Sequence, residues 1–127
     1  MENGFAFSGF DSSAIEMGYS QLAHEWLDNM LSGIDNLAEL KVVLYIFRHT
    51  CGFQEPEDYK HITIDEFMSG RCYADGSRMD NGTGLSEMSV RSGLKKAEGE
   101  GYIEVKTNRR DLARIRKSYR LRFQECE

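Results

Sequence analysis

Thr83-Gly84-Leu85-Ser86-Glu87-Met88-Ser89-Val90-Arg91-Ser92-Gly93-Leu94-Lys95-Lys96-Ala97-Glu98-Gly99-Glu100-Gly101-Tyr102 reads as one short helix with both ends specified. Ser86 supplies an N-cap hydroxyl, able to accept a backbone N–H that the first turn leaves unpaired. Leu85 before it can staple to Val90 at the fourth helical position. Gly101 stands where a helix closes on a left-handed residue, with apolar Tyr102 next. Between these ends Val90, Leu94 and Ala97 recur at i, i+4 and i+7 and share one face. Met88, Ser89, Ser92, Lys95 and Lys96 fall on the opposite face, with Arg91 at the margin. Such a helix buries one stripe and leaves a small, polar, basic face free.

Downstream, Ile103 and Val105 alternate with Glu104 and Lys106, which predicts a strand over residues 102–106. Residues 107–111 are polar and turn-like. The return segment, 114–123, separates its faces: Ile115, Tyr119, Leu121 and Phe123 alternate with Arg114, Arg116, Arg120 and Arg122. A period of two puts one set on the core and leaves the other as a ladder of guanidinium groups. Lys117 is the exception on the apolar side.

Upstream, Leu22, Trp26, Leu27, Met30 and Leu31 predict a helix from Gln21 to Gly33 with Ser20 as its cap. Asn36-Leu37-Ala38-Glu39 and Thr63-Ile64-Asp65-Glu66 both have the spacing of a capping box. The first opens a helix over 37–49 that is apolar nearly all round, suited to the centre of a fold. The second opens a short helix with Phe67 and Met68 inward, just after a short strand at Ile62. Residues 51–59 hold the only proline, Pro56, and form a loop. Residues 71–84 are dense in glycine, aspartate and asparagine, which predicts a structured loop. Residues 1–18 show no period and read as a flexible arm ahead of a single domain, 19–127.

The 127-residue length suits one core, and no apolar run is long enough to cross a bilayer. The N-terminus lacks the charge and apolar stretch of a signal peptide. Cys51, Cys72 and Cys126 are odd in number and widely spaced, which fits a reducing cytoplasm. His49, Cys51, His61 and Cys72 match no zinc-ligand spacing, and no metal or cofactor is expected. No Walker loop, nucleophile elbow, HExxH or calcium-loop motif is present, so catalytic residues are not expected.

Net charge is −5, but its distribution matters more than its sum. Residues 1–70 carry three basic groups against twelve acidic; residues 71–127 carry thirteen against nine. Eight basic residues and one acid, Asp111, lie between Lys106 and Arg122, more than the charge needed to protect an edge strand. Concentrated basicity of this kind points to a polyanion.

The order helix, helix, short strand, short helix, loop, capped helix, hairpin is that of a helix-turn-helix followed by a two-stranded wing. The expected fold class is therefore α+β, mainly helical, a winged helix with a C-terminal β-hairpin wing. The expected partner is double-stranded DNA. Met88, Ser89, Arg91, Ser92 and Lys95 would read bases from the major groove. Lys96, Lys106, Arg109, Arg110, Arg114, Arg116, Arg120 and Arg122 would meet phosphates or the minor groove. Gly93 and Gly99 would permit close backbone approach to another helix or to DNA. The alternatives are a winged-helix transcriptional regulator, or a winged-helix protein–protein interaction or oligomerisation module without DNA binding; a homo-oligomer is a further partner left open.

Three stretches carry a family resemblance. Leu37-Ala38-Glu39-Leu40-Lys41-Val42-Val43-Leu44-Tyr45, then Gly52-Phe53 and Ile62-Thr63-Ile64-Asp65-Glu66-Phe67, resemble the N-terminal winged helix of phage replication protein O and DnaD-type replication initiators. So does the run Gly70-Arg71, Asp75-Gly76-Ser77-Arg78-Met79-Asp80, Gly82-Thr83-Gly84-Leu85-Ser86 and Ser89-Val90, including its expanded loop before the capped helix. The resemblance covers roughly residues 19–123. It implies binding of origin or operator DNA, and recruitment of a replicative helicase or helicase loader through other segments.

Overall fold

The computed structural model describes residues 7–50, 58–110 and 115–123. Its centre is the helix opened by Asn36, whose side-chain oxygen accepts the Glu39 backbone N–H at 2.9 Å. This helix runs Leu37–Thr50 and follows a shorter one at His24–Gly33; we name them α2 and α1. Val42, Val43 and Ile46 on α2 are essentially without exposed surface, with Tyr45 and Phe47 close behind. Leu37 and Leu44 remain exposed, so the apolar run is one-sided rather than buried all round.

Two departures concern helix starts. Ser20 does not cap α1: the chain stays extended through Ala23, the N-cap residue, which makes no side-chain capping bond. Leu22, outside the helix, packs against the core instead. At α2 only half of the expected capping box forms. Glu39 is fully buried and neither carboxyl oxygen has a hydrogen-bond partner among the described residues, so it does not reach back to Asn36.

The second box is complete. Thr63 Oγ1 accepts the Glu66 N–H at 3.1 Å and Glu66 Oε1 accepts the Thr63 N–H at 2.9 Å, opening α3 at Ile64–Ser69. Phe67 of α3 is fully buried beside the rings of Tyr45 and Tyr119.

The loop from α3 to the next helix is well anchored. Cys72 and Arg78 form an antiparallel bridge around an Asp75–Ser77 turn. Thr83 N–H donates to the Phe67 carbonyl at 2.8 Å, and Lys41 Nζ of α2 reaches the Thr83 carbonyl at 3.1 Å. Asp80 ties the loop to α2 through His49, whose Nε2 lies 2.9 Å from Asp80 Oδ2.

The helix between Ser86 and Gly101 is α4, Glu87–Gly99, and its ends form as its residues specify. Ser86 Oγ accepts the Ser89 N–H at 3.2 Å. Gly101 has φ +87, its N–H reaches the Glu98 carbonyl, and Tyr102 N–H reaches the Ala97 carbonyl. These are the paired bonds of a Schellman ending. Val90, Leu94 and Ala97 are buried, as is Gly93, where an added Cβ would lie 2.8 Å from the backbone of Ala38. Gly93 is therefore where α4 crosses α2 in backbone contact.

The three strands are β1 at Lys60–His61, β2 at Ile103–Asn108 and β3 at Arg116–Leu121. They form one antiparallel sheet in the order β1-β3-β2. Ile62, expected within the first strand, follows β1 and is buried. In the β2–β3 register Ile103 opposes Leu121, Val105 opposes Tyr119 and Thr107 opposes Lys117. Residues 7–18, the described part of the expected arm, include a 3-10 helix at Ser12–Met17 capped by Asp11. No helix among the described residues is long and apolar enough to cross a membrane.

Candidate nucleic-acid interface

Burial along α4 separates its faces as the helical period requires. Met88 is 81% exposed, and Arg91, Ser92 and Lys95 are exposed. Ser89 is half-buried, its hydroxyl engaged by that of Ser86 at 3.1 Å. Arg91 Nε donates to Glu87 Oε2 at 3.0 Å one turn back, both side chains in solvent. Lys95 makes no ion pair among the described residues. Lys96 lies on the other flank, with Nζ 3.0 Å from Glu100 Oε2. The Glu100 carboxylate raises the Lys96 pKa above its ordinary value.

The hairpin divides its cations between two faces. Ile103, Val105, Thr107, Lys117, Tyr119 and Leu121 share the face turned to the helices, and Tyr119 and Leu121 are buried there. Glu104, Lys106, Arg116, Arg120 and Arg122 share the other. On that outer face Arg120 Nε donates to Glu104 Oε1 at 2.9 Å, and Arg122 Nε lies 3.8 Å from Glu104 Oε2. The Arg120 guanidinium sits 4.4 Å from the centre of the Tyr59 ring, with Lys106 Nζ at 5.5 Å. A cation stacked on an aromatic face is held by the ring quadrupole. The guanidinium ladder is thus only partly free: Arg120 and Arg122 are held by Glu104, and Arg120 and Lys106 also stack on Tyr59. Arg116, Arg109 and Arg110 are exposed, the last two following β2. Arg114 lies outside the described residues.

Between α4 and the hairpin lies a cleft of about 520 Å³. Its α4 wall holds Arg91, Leu94, Lys95 and Glu98; its sheet wall holds Val105, Ile115, Lys117 and Tyr119. Residues 61–64 close one end. Sequence periodicity set Lys117 aside as an irregularity, yet it lines the same cleft as Arg91 and Lys95. The signal was its position on the otherwise apolar side of β3. Tyr59 was missed altogether, having no periodic pattern around it.

The two histidines near the loops have separate tasks. His49 is fully buried on Asp80, while a ring nitrogen of His61 lies 2.9 Å from the Lys117 carbonyl. No three His, Cys, Asp or Glu side chains converge among the described residues. Compared with protein-family models, curated proteins and solved structures, the chain matches none.

Proposed function

We propose that this chain is a winged-helix domain that binds double-stranded DNA, with α4 in the major groove and the β2–β3 hairpin as the wing, serving as the DNA-binding part of a replication initiator. The observation that carries the reading is the free polar face of α4 beside a cation-bearing hairpin. The succession α2–β1–α3–α4–β2–β3 and the strand order β1-β3-β2 support it. The anchored loop supports it too, because α3 and α4 are held as a packed pair despite the long connection between them.

Magnitudes favour Arg91 as a base contact. Its bond to Glu87 is an exposed i,i+4 pair, worth about 0.3–0.5 kcal/mol. A bidentate arginine–guanine contact is worth roughly 1–3 kcal/mol of discrimination. The guanidinium therefore exchanges one partner for the other at little cost. Lys95, one turn on, has no ion pair among the described residues to give up.

The test is selection from random duplexes with the wild type and with Arg91→Ala. The wild type should enrich a motif, and Arg91→Ala should lose preference at one or two of its positions while keeping its thermal midpoint. A wild type that retains no duplex at low salt sinks the reading. A second reading, a dimerisation or partner-docking module, is favoured by the exposed apolar side chains Phe7, Phe10, Ile15 and Tyr19 ahead of α1. For replication against transcription, capture of a replicative helicase or its loader supports an initiator, and promoter binding without it supports a regulator.

A further inference from the structure

Resting on the DNA-binding reading, we propose that Lys117 is a backbone-phosphate contact facing Arg91 and Lys95 across the cleft, so that one DNA strand is gripped between α4 and the inner face of the hairpin while Arg120 and Arg122 stay off it.

β3 has two faces. Odd-numbered residues look toward the helices and even-numbered ones look away, because side chains alternate along a strand. Tyr119 and Leu121 fill the inner face where α4 and α2 cover it. Toward the turn, Lys117 and Ile115 continue the same face, and both are exposed. Lys117 therefore lies on the side of the hairpin that a molecule seated on α4 would meet. Its backbone is also fixed: the His61 ring contacts the Lys117 carbonyl at 2.9 Å and so ties this point of β3 to β1.

The cleft between the walls suits a sugar–phosphate strand lying across its mouth. Leu94, Ile62, Ile64 and Val105 make its interior apolar, so a phosphate would stay at the rim, where Arg91, Lys95 and Lys117 stand. Deoxyribose carbons would lie over Ile115, which is 53% exposed. Among the described residues Glu98 is the one acidic side chain lining the cleft, and it leaves the rim cationic on balance. On the far side of the sheet the electrostatics differ. Glu104 neutralises Arg120 and draws on Arg122, and the Tyr59 ring holds Arg120 in place. Those groups bind the hairpin to the segment before β1.

The experiment measures the slope of log K against log salt for a labelled random-sequence duplex. Lys117→Gln should make the slope shallower by about one unit, as expected for one lost phosphate contact. Lys117 is exposed, so the variant should keep the wild-type thermal midpoint, and Lys117→Arg should restore the slope. The double variant Glu104→Gln/Arg120→Gln removes an ion pair without changing net charge and should leave the slope as in the wild type. A wild-type slope in Lys117→Gln overturns the proposal while DNA binding stands. A loss in the double variant equal to that in Lys117→Gln overturns the division between the two faces. Absence of duplex binding by the wild type is the different failure, that of the reading beneath it.

Discussion

Glu39 stands on α2 with no exposed surface and, among the described residues, no hydrogen bond to either carboxyl oxygen. Burial, reinforced by the neighbouring Glu100 carboxylate, pushes its pKa up to about 7 against the partial relief of Lys96. The unfolded chain ionises this group near 4.5, so its contribution to stability is complete below that pH and is lost as pH rises to about 7. Glu39→Gln should therefore stabilise the protein at pH 8 relative to wild type, and do far less at pH 4. Urea midpoints at the two values check this. His49 has the opposite slope. Burial, with Arg71 nearby, lowers its pKa against the pull of Asp80. Burial also acts on Asp80 to raise its pKa, but the Gly82 N–H, Tyr45 and His49 more than offset it and hold the carboxyl below its ordinary value. An Asp80 carboxylate can only accept, so Nε2 of a neutral His49 carries the proton between them. Stability falls as pH drops below 6.5, where the unfolded histidine charges and the folded one does not. His49→Gln should cost stability at pH 8 and flatten the decline below pH 6.5. The two slopes oppose each other over the same range, and only the single variants separate them.

Two glycines of α4, Gly93 in its interior and Gly99 its last residue, have opposite surroundings. At Gly93 a methyl group would press on the Ala38 carbonyl and the Glu39 N–H, both backbone atoms of another helix. At Gly99 nothing lies within 4 Å of the same added carbon. Gly93→Ala should therefore destabilise, by about 1–3 kcal/mol of overpacking, since neither helix can move without disturbing the core. Gly99→Ala should stabilise by up to about 1 kcal/mol through helix propensity alone. Thermal midpoints moving in opposite directions would bear this out; equal shifts would mean the α2–α4 crossing is looser than the structure has it. The same crossing accounts for the broken box at the start of α2. Glu39 has capping spacing, but α4 lies against that face of the first turn, and its side chain is enclosed before it can bend back to Asn36. Thr63 and Glu66, on a more exposed turn of α3, meet no such obstacle and close both bonds.

Across the whole molecule, charge is segregated: the acidic residues crowd the first seventy positions and the basic ones the α4 and hairpin end. Arg109 and Arg110 follow β2, exposed and without ion pairs among the described residues. If the hairpin meets the duplex, Arg109→Gln/Arg110→Gln should make the salt slope shallower by up to about two units for all sequences alike, with no change in thermal midpoint. An unchanged slope would put both arginines in water. Period and punctuation alone determined much of this protein. Val90, Leu94 and Ala97 marked the buried stripe of α4, Ser86 and Gly101 its ends, and Thr63 with Glu66 the start of α3, because each depends on residues within a turn of one another. Alternation likewise sorted the β3 residues into two faces. What each face meets was a tertiary matter. Whether an arginine on β3 is free depends on Glu104 across the strand pair and on Tyr59, about sixty residues earlier in the chain. Whether Lys117 is an irregularity or part of a cleft depends on where the hairpin outruns the helices. The role of Asp80 within a glycine-rich loop depended on the buried His49 that it meets thirty-one residues away. Local spacing settles which side of an element is apolar, since that follows from backbone geometry; partners brought together by folding leave no period in the sequence, and only the packed chain decides them.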